Sequence, residues 1–207
     1  MCLKWAAISI ASMSSSSVLS LEPGDTISVV GNTFAERMQH APYFAAGLHA
    51  AYPDHELRVR HFGWSGDEVA LQPRPLNFAG MKSHLDRVET DVLIACFGMN
   101  ESFAGEDGLP QFRANLAAWL DDHVDYQVVL VSPIAHESLG GHWRDGQNRS
   151  FMLGRYTQVM REEAAKRNVH FIDLHWPMQQ AMQDEDDLTI NGIHLNDAGY
   201  RLSLIHI

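Results

Sequence analysis

Four segments of the chain carry side chains suited to nucleophilic attack and to the stabilisation of an oxyanion. Thr33 follows the β-branched run 26–31 and places a hydroxyl where a helix is predicted to begin, a position with free N–H groups and positive potential. His194 is a candidate general base. Gly66 and Asn100 are suited to directing an N–H at a developing negative charge. These residues are therefore the candidate nucleophile, base and oxyanion donors.

Each of these residues also has a purely structural interpretation. Asn32 or Thr33 would cap a helix, because short polar side chains accept the free N–H groups at helix starts. Gly66 and Asn100 are typical of turns. The sequence contains 12 histidines, so a single histidine is more often structural than catalytic. It has no HExxH pair of metal-binding histidines, and we predict no metal site.

The candidates fall where apolar strands are predicted to end. Five apolar runs predict strands, at 26–31, 56–62, 91–98, 126–132 and 169–174. Helical patterns alternate with them, at 34–51 with a break at Pro42, 81–88, 109–124 and 150–168. This alternation predicts a parallel sheet covered by helices on both faces. Because such sheets bind ligands beyond the carboxyl ends of their strands, the fold would bring the candidates to one edge.

Composition excludes several classes of partner. The chain has 207 residues, enough for one domain. Lysine and arginine number 15 against 26 aspartates and glutamates, a net charge of −11. An acidic surface repels phosphate, so we expect neither nucleic-acid binding nor docking on anionic lipid. No apolar run reaches the ~18–20 residues that span a bilayer. With only Cys2 and Cys96, neither a structural disulfide nor a cysteine zinc site is expected.

The two ends of the chain differ from its centre. Residues 1–20 follow the order of a secretory signal, with Lys4 before a short apolar stretch and then small residues. We expect an exported protein, periplasmic or secreted; the alternative is a disordered tail on a cytoplasmic protein. The domain is expected to span 21–207. A final helix is predicted to begin at Asn196-Asp197, and residues 202–207 have the pattern of a truncated or artefactual end, so His206 is given no role.

The candidates match a known set of motifs. In order, Gly31-x-Thr33, Gly66, Gly98-x-Asn100 and Asn191-x-x-His194 resemble the SGNH (GDSL-like) hydrolase superfamily over roughly residues 24–201. The segments GNTFAERMQH, GWSGDE and GMNESFAG resemble a divergent bacterial, planctomycete-type subgroup. The resemblance implies a flavodoxin-like three-layer α/β/α sandwich with a five-stranded parallel sheet. It also implies esterase or carbohydrate deacetylase activity without a metal or organic cofactor.

The resemblance assigns a role to each candidate. Thr33 would attack the ester carbonyl, His194 would remove its proton, and Asn191 would orient the histidine ring. The backbone N–H groups of Thr33 and Gly66 and the side chain of Asn100 would form the oxyanion hole. The implied partner is a small-molecule or carbohydrate ester.

Four residues depart from the motifs of the family. Thr33 replaces the serine and Asn32 the aspartate of G-D-S, Glu101 replaces the aspartate of G-x-N-D, and Asn191 replaces the triad acid. Threonine is a possible nucleophile, but its methyl group makes it stiff. The corresponding Asp→Asn change in serine proteases costs about 10⁴ in kcat. Two hypotheses remain, a hydrolase with a Thr–His site and an impaired module that binds a glycan or acyl ligand in the same cleft.

Other residues near the motifs are candidates for the same roles. Asp186 and Asp187 precede His194 and are candidates for the missing acid, although a solvated acidic loop is the favoured interpretation. Ser65 is a spare hydroxyl in a segment that supplies a backbone donor in the family. A purely structural or partner-binding domain is a third class, which the retained oxyanion residues disfavour.

Overall fold

A computed structural model describes residues 19–143, 146–184 and 187–203. The strands in these ranges are Thr26–Gly31 (β1), Arg58–His61 (β2), Val92–Cys96 (β3), Gln127–Val131 (β4) and His170–Ile172 (β5). The helices are Thr33–Met38 (α1), Tyr43–Ala51 (α2), Met81–Arg87 (α3), Leu109–Asp122 (α4), Gln147–Arg167 (α5), His175–Asp184 (α6) and Asp197–Ser203 (α7). Strands and helices alternate along most of the chain, as the apolar pattern predicts.

The strands form one parallel sheet in the order β2-β1-β3-β4-β5. The predicted five-stranded parallel sheet is therefore confirmed. The chain adds strands to one side of β1 first and then to the other, so the direction of winding reverses between β1 and β3. Open α/β sheets bind ligands at such a reversal, beyond the carboxyl ends of the strands. Here that edge lies after Gly31 and Cys96, which are register partners.

Helices cover both faces of the sheet and give the three layers. One face packs on α1, α2, α6 and α7 through buried side chains that include Met38, Phe44, Met178 and Tyr200. The other face packs on α3, α4 and α5 through buried side chains that include Leu85, Leu116 and Tyr156. All five residues of β3 are buried. A strand covered on both faces needs an unbroken apolar run, which explains the sequence VLIAC.

The predicted helix 34–51 is two helices. Helix α1 ends at Met38, and Pro42 precedes the first residue of α2. Proline has no backbone N–H to continue a helix, which is why the predicted break falls there. The expected signal segment lies largely, and residues 204–207 wholly, outside the described residues, so both expectations about the ends of the chain stay predictions. No helix in the described ranges combines the length and apolar composition that crossing a membrane requires.

Candidate active site

The carboxyl end of β1 presents Thr33 at the start of α1. A side chain at Gly31 would place its Cβ 2.0 Å from the carbonyl oxygen of Cys96, so glycine is needed for this close approach. Asn32 caps the helix, because its Oδ1 accepts the N–H of Phe34 at 3.0 Å. The capping interpretation therefore holds for Asn32. The Thr33 N–H, in the first turn, has no carbonyl of α1 to bond to.

Residues from three distant parts of the chain meet in one small cleft. Thr33, Asn100 and His194 all line it. The cleft has a volume of about 30 Å³, comparable to the volume of one water molecule in the liquid. Its other lining residues are Asn32, Phe34, Cys96, Phe97, Met99, Ser132, Pro133, Ile134 and Ile193. A hydroxyl, an amide and an imidazole thus share one confined space.

Gly66 lies outside this lining but is tied to it through the neighbouring residue. The Nδ2 group of Asn100 donates to the carbonyl oxygen of Asp67 at 2.9 Å, which leaves its second N–H for a ligand. Gly66 has a φ of +88°, a left-handed backbone that favours glycine. Within the described residues the Gly66 N–H donates no hydrogen bond. The loop of Gly66 and the side chain of Asn100 are therefore held next to each other.

Charged side chains form hydrogen bonds that stabilise the loop that carries Gly66. Asp67 is fully buried and receives two hydrogen bonds from the guanidinium of Arg74, at 2.6 and 2.7 Å. Burial raises the pKa of Asp67, and Arg74 opposes that rise. The carboxylate of Glu36 accepts both the backbone N–H and the hydroxyl of Ser65. Because this hydroxyl is committed to Glu36, Ser65 is not placed as a nucleophile.

Glu101 joins the loops that follow β2 and β3. Its Oε1 accepts the N–H of Val69 at 2.9 Å, and its Oε2 accepts the N–H of Gly98 at 2.8 Å. Burial raises the pKa of Glu101 to about 7, against the opposing effect of these two hydrogen bonds. From the sequence, Glu101 is only a departure from the family motif, and this structural role is not evident. Its position directly after Asn100 was the available signal.

Asn191 sets the hydrogen-bonding state of His194. The Oδ1 of Asn191 accepts the backbone N–H groups of His194 at 3.0 Å and Ile193 at 3.4 Å. Its Nδ2 lies 2.9 Å from Nδ1 of the His194 ring. An amide NH₂ can only donate, so Nδ1 must accept and the proton of a neutral ring sits on Nε2. That is the wrong tautomer for removing a proton from a hydroxyl.

His194 is neutral at physiological pH. Burial lowers its pKa, and the positive charge of Arg37 lowers it further. A neutral ring satisfies the first requirement of a general base. The second requirement is a ring nitrogen that carries no proton and faces the nucleophile. The contact with Asn191 leaves the proton on Nε2 and so opposes this requirement.

No described carboxylate takes the place of the missing acid. Asp187 is exposed, and its described contact is a backbone one, in which its carbonyl oxygen accepts from Asn196. Asp186 lies outside the described residues. Glu137 is buried nearby, but its carboxylate accepts from the backbone N–H groups of Leu188 and Thr189 and from the Thr189 hydroxyl. Sequence reasoning missed Glu137, which anchors the loop that leads to His194.

Two other lining side chains could in principle act as nucleophiles, Ser132 and Cys96. The Ser132 hydroxyl donates to the carbonyl oxygen of Pro133 and accepts the N–H groups of Leu174 and His175, so its bonding is structural. Burial raises the pKa of the Cys96 thiol to about 12, so it does not form a thiolate. Across the described residues, no three His, Cys, Asp or Glu side chains lie close enough together to hold a metal ion.

A wider groove of about 600 Å³ adjoins the small cleft. Ile193 lines both of them. Phe103 and Trp143 are exposed in this groove. Arg149 stacks over the Phe103 ring at 3.5 Å and donates to the carbonyl oxygen of Ser102 at 3.1 Å. Its described hydrogen bonds go to neutral groups only, and burial lowers its pKa.

The sequence matches the model of a known family. The model of the GDSL-like Lipase/Acylhydrolase family matches residues 24–202. The chain belongs to that family. The resemblance to the SGNH hydrolase superfamily is thereby confirmed, and membership supports ester hydrolysis as the general chemistry. The planctomycete-type subgroup stays a prediction. No curated protein matches the sequence.

Solved structures of low sequence identity share the fold. A catalytic mutant of Axe2, an acetylxylan esterase from Geobacillus stearothermophilus, has a TM-score of 0.71 at 15% identity, covering 91% of this chain and 94% of that one. BT4096, a gut microbial diltiazem-metabolizing enzyme, has a TM-score of 0.71 at 19% sequence identity, covering 91% of this chain and 47% of that one. LAE5, an alpha/beta hydrolase from the metagenome of Lake Arreo, Spain, has a TM-score of 0.69 at 18% sequence identity, covering 89% of this chain and 93% of that one.

Proposed function

We propose that this chain hydrolyses small acyl esters of carbohydrates, with Thr33 as nucleophile and His194 as base. Asn191 orients His194, and the N–H groups of Thr33 and Gly66 and the Nδ2 of Asn100 receive the oxyanion. The observation that carries the proposal is the common cleft lined by Thr33, Asn100 and His194.

The reaction would run as an acyl transfer through Thr33. Nε2 of His194 takes the hydroxyl proton while Oγ1 attacks the ester carbonyl, and the oxygen becomes negative beside the three donors. Collapse of this intermediate releases the alcohol, which receives the proton from His194. Water then attacks the acyl-threonine in the same way and frees the acid. Each proton transfer needs Nε2 without a proton, which the contact between Asn191 and Nδ1 disfavours.

The shape of the site supports a small acyl group on a larger alcohol. A cleft of about 30 Å³ is very small, which favours the smallest acyl groups, such as acetyl. The adjoining groove of about 600 Å³, with exposed Phe103 and Trp143, suits the apolar faces of sugar rings. The acetylxylan esterases among the structural neighbours have the same fold, which supports a carbohydrate ester as the class.

A second function is favoured by one contact. Because Nδ2 of Asn191 donates to Nδ1 of His194, the site is short of a base in the required tautomer. A module that binds a glycan or acyl ligand in the same cleft, without turning it over, is consistent with this arrangement. The two functions differ in whether removal of the nucleophile changes a measured rate.

The test is an esterase assay with p-nitrophenyl acetate on the wild type, Thr33→Ala and His194→Ala. We expect a slow wild-type rate and a loss of at least about 10-fold in each variant, because both groups act in the same step. Equal rates in all three proteins, with circular dichroism showing that each is folded, would reject covalent catalysis at Thr33. Unchanged binding of acetylated xylo-oligosaccharides by those same proteins would then favour the binding module.

A further inference from the structure

Asn191 is followed by a glycine, and it is the one asparagine of the sequence with that neighbour. In an Asn-Gly pair the backbone nitrogen of the glycine can attack the side-chain amide carbon, because no Cβ obstructs the approach. Gly192 has a φ of +90°, and a Cβ there would lie 2.4 Å from Nε2 of His136. The fold therefore requires glycine at the position that makes this amide vulnerable.

A proton acceptor lies beside the attacking nitrogen. The N–H of Gly192 donates to the Thr189 hydroxyl at 2.9 Å. That hydroxyl in turn hydrogen-bonds to a carboxylate oxygen of the buried Glu137. Removal of the amide proton is the difficult part of such an attack. The chain of Thr189 and Glu137 provides a path for that proton to a carboxylate.

The side-chain amide of Asn191 is hydrogen-bonded on both sides, and the contacts to its oxygen polarise it. Its Oδ1 accepts the N–H groups of His194 and Ile193, which would stabilise the negative oxygen of a tetrahedral intermediate. Its Nδ2, the leaving nitrogen, lies 2.9 Å from Nδ1 of His194. This contact holds the leaving nitrogen in place on the side away from Oδ1.

We propose that Asn191–Gly192 is a site of intramolecular deamidation and that this reaction supplies the missing triad acid. The Gly192 nitrogen bonds to the Asn191 amide carbon and gives its proton through Thr189 to Glu137. The bond from that carbon to Nδ2 then breaks, and the NH₂ group takes one proton from water and leaves as ammonia. Water then attacks the same carbon of the cyclic imide and releases the Gly192 nitrogen, which restores the peptide bond and leaves an aspartate. One water is consumed, one ammonia is released, and nothing is oxidised or reduced.

The new carboxylate would correct the tautomer of His194. One of its oxygens keeps the hydrogen bonds from the backbone N–H groups of Ile193 and His194. The other accepts a hydrogen bond from Nδ1, which then carries the proton of the neutral ring. Nε2 then carries a lone pair toward the cleft that Thr33 lines. This activating role rests on the proposed function, whereas the modification itself does not.

The experiment follows mass and activity in the same samples. Freshly purified protein is incubated in neutral buffer at body temperature and sampled over time for peptide mapping and for p-nitrophenyl acetate hydrolysis. We expect a gain of about 1 Da at Asn191, as α-linked aspartate, and a parallel rise in rate. In heavy-oxygen water the same peptide should incorporate one heavy oxygen. Asn77 and Asn148, which precede Phe78 and Arg149, are internal controls that should not change.

Matched variants test the proton path. Thr189→Val should slow the mass gain several-fold, and Thr189→Ser should restore it, because serine keeps the hydroxyl. The folded chain should also deamidate faster than a synthetic peptide of residues 187–197. Thermal melts establish that each variant is folded before the rates are compared.

Several outcomes would overturn the proposal. These are no mass gain at Asn191 while the synthetic peptide deamidates, equal rates in Thr189→Val and Thr189→Ser, or isoaspartate as the product without a rise in activity. The variant Asn191→Asp separates this failure from failure of the proposed function. A mass gain with no esterase activity in either the aged protein or Asn191→Asp would reject the activating role and the hydrolase, and would leave the modification established.

Discussion

On the oxyanion side of the cleft, carboxyl groups hold the donors in place, whereas on the proton-transfer side Nδ1 of His194 contacts a neutral amide. Glu101 accepts two backbone N–H groups and Asp67 is paired with Arg74, so carboxyl groups fix the loops around Asn100. Asn191 offers Nδ1 a donor where a triad acid would offer an acceptor.

This difference separates the two requirements of acyl transfer. Stabilising an oxyanion depends on N–H groups that are fixed in space before the reaction. Moving a proton depends also on which ring nitrogen carries it. In the proposed site, the described contacts hold Asn100 and the loops around it in place, which serves the first requirement. A single amide opposes the second. Replacing the amide nitrogen of residue 191 by an oxygen, as in Asn191→Asp, should therefore change kcat more than any substitution among the oxyanion donors.

The largest expected effect is that of Asn191→Asp. We expect kcat for p-nitrophenyl acetate to rise by about 10²–10⁴, since a carboxylate imposes the useful tautomer and stabilises the imidazolium. The control is His194→Ala in the same background, which should abolish the gain. An unchanged kcat would mean that the tautomer does not limit this site.

The next effect is that of Asn100→Ala. Loss of one oxyanion donor should lower kcat by about 10²–10³ with little change in KM. The measurement is best made in the Asn191→Asp background, where the starting rate is higher. Phe78→Ala, on an exposed residue outside the cleft lining, is the matched control and should leave kcat unchanged. A fall in kcat/KM through KM alone would contradict the role of Asn100.

A smaller effect is expected from Glu101→Gln, and it is an effect on stability. Glutamine offers one acceptor for the N–H groups of Val69 and Gly98, so one buried donor loses its partner. We expect a loss of about 1–3 kcal/mol in the free energy of unfolding, measured by urea denaturation. Glu106→Gln, an exposed neighbour, is the control.

The raised pKa of Glu101 also predicts how the free energy of unfolding changes with pH. Its pKa is about 7 in the folded protein and near the ordinary 4.5 when unfolded. The folded state therefore holds the proton more tightly, so this group's contribution to stability should fall as pH rises from 4.5 to 7 and then level off. Glu101→Gln should lose that pH-dependent part. An identical pH profile in both proteins would show that Glu101 does not titrate in this window.

The smallest expected effect is on the pH at which kcat/KM falls on the acid side of its pH profile. His194 must be neutral to act, and its pKa is lowered by burial and by Arg37, so wild-type activity should persist below pH 6.5. In Asn191→Asp the nearby negative charge favours the imidazolium. The acid limb of kcat/KM should then move to higher pH by about one unit. A shift in the other direction would contradict the contact between residue 191 and the ring.

The architecture could be predicted from the sequence because it depends on repeating local patterns. The alternation of apolar runs and helical stripes was enough for the five-stranded parallel sheet, and Pro42 was enough for the break between α1 and α2. The candidate residues were found because strand ends are recognisable positions in such a sheet. Thr33, Gly66, Asn100 and His194 were predicted to meet. Thr33, Asn100 and His194 line one cleft, and Gly66 lies outside that lining, in the loop that Asn100 contacts.

Glu101 and Glu137 could not be assigned in this way. Each is a buried carboxyl whose partners come from distant parts of the chain, Val69 in one case and Leu188 and Thr189 in the other. A glutamate in sequence is most often solvated, and only the packing of loops reveals that it is not.

The sequence alone determined which residue types stand at the strand ends, including the amide at position 191 in place of an acid. Only the tertiary structure decided what that amide does. Two backbone N–H groups occupy its oxygen, so its nitrogen must face His194. The orientation of a side-chain amide follows from the donors and acceptors that surround it in space, and those neighbours are supplied by the folded loop.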